Sequence, residues 1–99
     1  MKLVMTKICA AMPVLIEAEG SRSRQEIKIT TPEPVQDTGY VCRIEFSGAS
    51  RYDSEFSASD AISALNLVIV YMNGIVENSK EPEFFWPNGD TMFVDHENK

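Results

Sequence analysis

Apolar and polar residues alternate most strictly over residues 40–47, where Tyr40, Cys42, Ile44 and Phe46 fall on one side and Val41, Arg43, Glu45 and Ser47 on the other. A period of two marks a strand with one buried face. Shorter alternations at 12–19 and 25–31 align Val14 with Ile16 and Ile27 with Ile29. The polar stretch 20–24 between them predicts a hairpin turn. The run TPEPVQDTG at 31–39 holds two prolines and a glycine, which predicts an irregular edge or crossover. A turn at 48–50 then leads into a short strand at 51–56, with Tyr52, Ser54 and Phe56 on a common side.

The period changes at 57–78. At 3.6 residues per turn, Ala61, Leu65, Val68, Met72, Ile75 and Val76 form one broad stripe, flanked by Ala64, Ile69 and Tyr71. This stripe is the expected core face of a long helix. Ser57 or Ser59 is expected to cap it, with Asp60 complementing the positive end of its dipole. The opposite arc carries Ser63, Leu67, Val70 and Gly74, where a surface helix ordinarily has charged residues. The helix therefore needs a second contact. Leu3, Val4, Met5 and Ile8 folding back, a second copy of the chain, or a different protein would each supply one. A two-fold contact between copies is preferred, that being the commonest symmetry of homo-oligomers. Gly74 weakens the helix interior, and marks either fraying or the close approach of another backbone.

Beyond an acidic linker, FFWPNGDTMFV at 84–94 predicts a hairpin closed by Asn88 and Gly89 in a type I′ turn, with Phe84 opposite Phe93 and Phe85 opposite Met92. The elements add up to an α+β fold. An antiparallel sheet of four or more strands packs against one long helix and is followed by a C-terminal hairpin. Ninety-nine residues make one domain, ordered over about 12–94 with a flexible polar tail at 95–99.

Composition adds little to this until charge is located. The chain is 43% apolar and 24% charged, an ordinary globular balance, with a net charge of −6. Residues 1–31 carry five bases and three acids, whereas 32–99 carry four bases and twelve acids. No Lys/Arg cluster exists to release counterions, so nucleic acid is not an expected partner. A basic protein would be steered towards the acidic part. Lys7 interrupts the apolar N-terminal run, and the helix contains Ser63, Asn66 and Asn73. Neither a secretory signal nor a membrane span is expected, and the cytoplasm is the expected compartment.

The chemistry-bearing residues are sparse. Cys9 and Cys42 lack metal or redox spacing and are expected to be reduced, Cys42 as a small buried hydrophobe. His96 is the single histidine, which leaves neither a nucleophile–base pair nor a metal site. Asp53 with Glu55, near Arg43 or Arg51, and Glu17 with Glu19 are the carboxylate pairs from which a small enzyme could be built. Solvent-facing strand residues are the simpler account of both. Arg22 and Arg24 are assigned to a soluble turn. Trp86 joins Phe84, Phe85 and Phe93 in an aromatic hairpin that serves partly as core and partly as binding surface.

YVCRIEFSG (40–48), FSASDAISALNLVIVYM (56–72) and WPNGD (86–90) together resemble a family of small uncharacterised bacterial proteins. In that family a cysteine-containing strand precedes an acidic-capped, Ala/Leu-rich helix and a Trp-Gly segment. The resemblance spans roughly residues 12–93. Asp60, Ala64, Leu65 and Trp86 match best, and Ser63 stands where a glutamine is expected. It implies a fold and no activity. The reading is thus a non-enzymatic, homodimeric interaction domain that takes no cofactor and touches partners through Ser63, Leu67, Val70, Gly74 and Trp86. An immunity-like inhibitor of a basic toxin or enzyme is the alternative.

Overall fold

A computed structural model describes residues 7–37 and 39–93. The N-terminal residues Leu3, Val4 and Met5 and the tail at 95–99 lie outside the described residues. The chain forms β1 (Ile8–Ala18), β2 (Ser21–Thr30), β3 (Glu33–Val35), β4 (Gly39–Phe46), β5 (Ser54–Ala58), α1 (Ala61–Asn78) and β6 (Glu83–Phe85), with a 3-10 turn at Ser50–Tyr52. All six strands join one antiparallel sheet, and α1 lies across β4 and β5 and reaches β6. This is the expected α+β architecture.

The core forms between the helix and one sheet face. Val14, Ile16, Ile27, Ile29, Cys42, Ile44 and Phe46 project from the strands to meet Ala64, Val68 and Val76. The other sheet face is a charged ladder on which Arg22 pairs with Glu17, Lys28 with Glu26, and Arg43 with Glu45 and Glu55. Exposed pairs of this kind add little stability, typically about 0–1 kcal/mol each. Their effect is to keep that face wet.

Strand β5 runs Ser54–Ala58 instead of 51–56, because Arg51 and Tyr52 belong to the 3-10 turn, and four further boundaries of the sheet differ from the sequence reading. The first turn is the two-residue Glu19–Gly20, both at positive φ, so the strands run straight through Ser21–Arg24. Here the hairpin extends past the helix and is exposed on both faces, which makes strand residues look like a loop. Arg22 lies over the Phe85 ring at 3.9 Å and is a strand residue, not part of a turn. Second, β1 begins at Ile8 instead of Met12, because Ile8 and Ala10 pair with Thr30 and Ile29 despite the modest β-propensity of alanine. Third, Glu33–Val35 forms a strand in spite of Pro34. It continues β2 along the same side of β4 after a break at Thr31–Pro32, at the sheet margin where a missing N–H is tolerated. Thr30 Oγ1 accepts the Arg43 N–H at 2.9 Å and keeps the ladder satisfied across the break.

The fourth difference is the C-terminal hairpin. Phe85 pairs with Thr91, and the Met92 N–H reaches the Phe84 carbonyl at 3.0 Å, one residue out of the expected register. Pro87 is the cause, since its fixed φ favours the second position of a type I turn, and Gly89 then takes the left-handed position (φ 99°). The loop holds three residues, closed by Gly89 N–H to Trp86 carbonyl and Trp86 N–H to Asp90 carbonyl. Phe84 and Met92 are both buried as a result.

The helix starts at Ala61, and its cap is Asp60, not Ser57 or Ser59. Asp60 Oδ1 accepts the Ser63 N–H at 2.7 Å, and the Ser63 hydroxyl donates to Oδ2 at 3.0 Å. These bonds hold the Asp60 carboxyl below the ordinary aspartate range. A carboxyl depressed on folding stabilises the fold above its unfolded pKa and stops doing so as pH falls through the folded value. Melting midpoints should therefore fall on acidification below about pH 4, and Asp60→Asn should remove part of that dependence while still capping. Circular dichroism melts of both proteins from pH 2 to 7 test this; superimposable profiles would refute it. At the far end Ser79 Oγ donates to the Pro82 carbonyl at 2.6 Å and lies 3.2 Å from Tyr52 Oη, and Tyr71 Oη donates to the Tyr52 carbonyl at 2.6 Å. The helix does not fray at Gly74, and no atom lies within 4 Å of a Cβ built there.

Candidate functional site

The helix crest is the first candidate. Ser63, Leu67, Val70 and Gly74 are all exposed, Leu67 at 42% and Val70 at 61%. Ile62, at 79%, and Ile69, at 37%, are exposed as well, on the flank between the crest and the core stripe. Sequence reasoning missed Ile62 because it falls between the two assigned arcs, and set Ile69 on the core flank. From Ala61 to Val76 the helix carries no charged side chain. An uncharged apolar crest on an acidic protein is not a solubilising surface.

Trp86 stands apart from that row. It is 47% exposed and lines an open groove of 490 Å³ with Met12 from β1, Met72, Asn73, Val76 and Glu77 from α1, and Thr91, Met92 and Phe93. Helical geometry puts Asn73 and Glu77 on one flank of the crest and Leu67 on the other. The structure thus brings Ser63, Leu67, Val70 and Gly74 together and places Trp86 across the groove from the helix.

The possible catalytic groups are spread over separate structural tasks. Asp53 Oδ1 accepts the Phe46 N–H at 2.7 Å, Glu55 meets Arg43 at 3.0 Å, and Glu17 meets Arg22 at 3.0 Å. Cys9 and Cys42 both point at the Thr30 carbonyl, at 3.6 and 3.2 Å, on either side of β2. Burial pushes the Cys42 thiol up, with the nearby Cys9 adding to the shift, so Cys42 remains a protonated hydrophobe at neutral pH. Among the described residues no group of three or more His, Cys, Asp or Glu is placed to hold a metal ion. By length and composition alone α1 is apolar enough to cross a membrane, and it packs on the sheet through Ala64, Val68 and Val76.

No protein-family model, curated protein or solved structure matches the chain. What the residues and the fold establish is a small chain that combines a cysteine-containing strand, a long helix and an aromatic C-terminal segment.

Proposed function

We propose that this protein acts by binding, as a non-enzymatic cytoplasmic domain that pairs with a second copy through the crest of α1. The observation that carries the reading is the crest itself, a chargeless row of Ser63, Leu67, Val70 and Gly74 on a chain of net charge −6. Two copies of an acidic protein repel wherever their carboxylates face, and the crest is where they can meet without that repulsion. Its small residues suit close approach: Ser63 and Gly74 bracket the two larger side chains, and the space above Gly74 is open. Membership of the small bacterial family with the same strand, cap and Trp-Gly order belongs to this proposal and adds no activity to it.

Light scattering is expected to give twice the 11.1 kDa chain mass. The Leu67→Glu, Val70→Glu variant should be a folded monomer with an unchanged circular dichroism spectrum, since exposed substitutions shift stability by only about ±0.5 kcal/mol. Gly74→Ala adds a second arm. In the monomer it should stabilise the helix by up to about 1 kcal/mol, but in the dimer the methyl group should weaken association. A wild-type protein that is monomeric at high micromolar concentration would overturn the reading.

A further inference from the structure

We infer that two copies of the chain also join through the outer edge of β5, so that their sheets become one continuous antiparallel sheet across the two-fold axis. The inference rests on the pairing of copies proposed above and adds a backbone part to that interface. Strand β5 is a margin of the sheet, paired with β4 alone. The direction of its backbone groups follows from β4. The Phe46 N–H reaches Asp53 on the β5 side, whereas the Arg43 and Ser47 N–H groups point towards β2. Backbone direction alternates along a strand, so Tyr40, Cys42 and Ile44 bond towards β5, and their partners Ala58, Phe56 and Ser54 bond inward. Glu55 and Ser57 therefore direct their N–H and C=O groups out of the sheet, where no strand among the described residues meets them.

The other margins are blocked. On β3, Pro34 pairs with Tyr40, whose backbone faces β5, so the proline nitrogen lies on the outer side of β3. The C-terminal segment folds back along β6 and bridges Phe85 to Thr91, and Pro13 interrupts the stretch of β1 that β6 leaves bare. Strand β5, Ser-Glu-Phe-Ser-Ala, has neither a proline nor a cover among the described residues. An edge left open where the rest are blocked is the place for a further strand to add.

That strand is β5 of a second copy, because the edge is complementary to itself. A two-fold axis at Phe56 sets each Glu55 opposite Ser57 of the other copy, as a hydrogen-bonded pair. Both outward residues of each strand are then satisfied, and no carboxylate stands directly opposite another. An axis at Glu55 would oppose like charges, and one at Ser57 would pair Glu55 with Ser59, beyond the end of β5 at Ala58. Glu55 is in addition neutralised within its own chain by Arg43 at 3.0 Å. On the helix side of the sheet Phe56 meets Phe56 of the other copy, in the closer, non-hydrogen-bonded kind of pair. Phe56 is only half-buried and packs against Tyr71 at a ring separation of 5.2 Å. Leu67, one helical turn before Tyr71, lies on that same flank of α1. Crest and strand edge are thus neighbours, and a single axis serves both.

Hydrogen exchange reads the junction residue by residue. The Glu55 and Ser57 amides should exchange freely in dilute protein and more slowly, by about tenfold or more, at millimolar concentration. Ser57→Pro removes an outward N–H and no bond within the chain, so it should leave the circular dichroism spectrum unchanged and weaken dimerisation by about tenfold or more. At low salt Ser57→Lys, opposite Glu55 of the other copy, should tighten the dimer and Ser57→Glu should loosen it, whereas the same pair of substitutions at Ser23 on β2 should move it far less. The Leu67→Glu, Val70→Glu variant separates the two parts of the interface. If that variant is monomeric while the wild-type amides stay unprotected and Ser57→Pro still dimerises, the crest reading stands and this inference is overturned. If the variant stays dimeric with both amides protected, the crest reading fails and this inference stands. A wild-type protein that is monomeric at high micromolar concentration overturns both. Protection that does not change with concentration also overturns the inference, because the edge is then covered within one chain.

Discussion

Phe84→Ala is expected to destabilise the protein by about 3–5 kcal/mol, the usual cost of emptying a fully buried phenylalanine site. Phe84 has no exposed surface, stands opposite Ile16 where β6 joins β1, and meets Phe46 edge-on at a ring separation of 6.0 Å. Strand β6 is tied to β1 by three residue pairs, and Phe84 is the side chain by which it joins the core cluster. Collapse around the cavity is hindered, because Phe46 is also held by Tyr52 and Tyr71 in edge contacts. Domains of this size are stable by about 5–15 kcal/mol, and a loss this large would bring the variant close to its unfolding threshold. Urea denaturation measures it by linear extrapolation. A loss below about 1 kcal/mol would show that β6 contributes little to the core.

A comparable loss, about 3 kcal/mol or more, is expected for Gly39→Ala, from two causes acting together. Gly39 sits at φ 110°, a conformation that side-chain-bearing residues rarely adopt, and a Cβ there would run into the Ala58 carbonyl of β5. Neither strand can retreat, because β5 is paired with β4 from Tyr40 to Ile44 and leads two residues later into the Asp60 cap. Gly20→Ala separates the causes. Gly20 also has positive φ, at 80°, but nothing lies within 4 Å of its Cβ position, and so it should cost only the conformational penalty of about 1–2 kcal/mol. Equal losses in the two variants, measured by chemical denaturation, would mean that the contact with Ala58 is relieved at little cost.

Much of this architecture was legible where a single period dominates. Strand β4 alternates without exception and α1 keeps its 3.6-residue stripe for five turns, so both could be placed with their faces. Legibility failed where local chemistry competed with pattern. Ser21–Arg24 look like a loop because a strand exposed on both sides has no alternation to show. Glu33–Val35 looks irregular because Pro34 is compatible with a strand only at a margin, and a margin is a fact of topology. Pro87 shifted the last hairpin by one residue by choosing a type I turn over the Asn-Gly alternative.

The two candidate surfaces divide in the same way. Ser63, Leu67, Val70 and Gly74 lie on one element, and their spacing alone brings them together. The groove is assembled from β1, α1 and the C-terminal segment, and Met12 and Met92 are eighty residues apart in sequence. No window of the sequence contains it. The three methionines were the available signal, and only the fold shows that they meet.

The placement of Pro13 in β1 bears on whether a strand from another molecule can extend the sheet. The Ser47 N–H bonds to the Glu26 carbonyl, so the backbone of Glu26 faces β4, and that of Pro13, paired with Glu26, faces away from β2. Among the described residues β6 covers this outer side only from Leu15 to Glu17. Between Ala10 and Val14 the outward side offers a single amide hydrogen, that of Ala11, because Pro13 has none to give. A strand from another molecule arriving here would find half its ladder missing, and growth of the sheet into a fibril would stall at that residue.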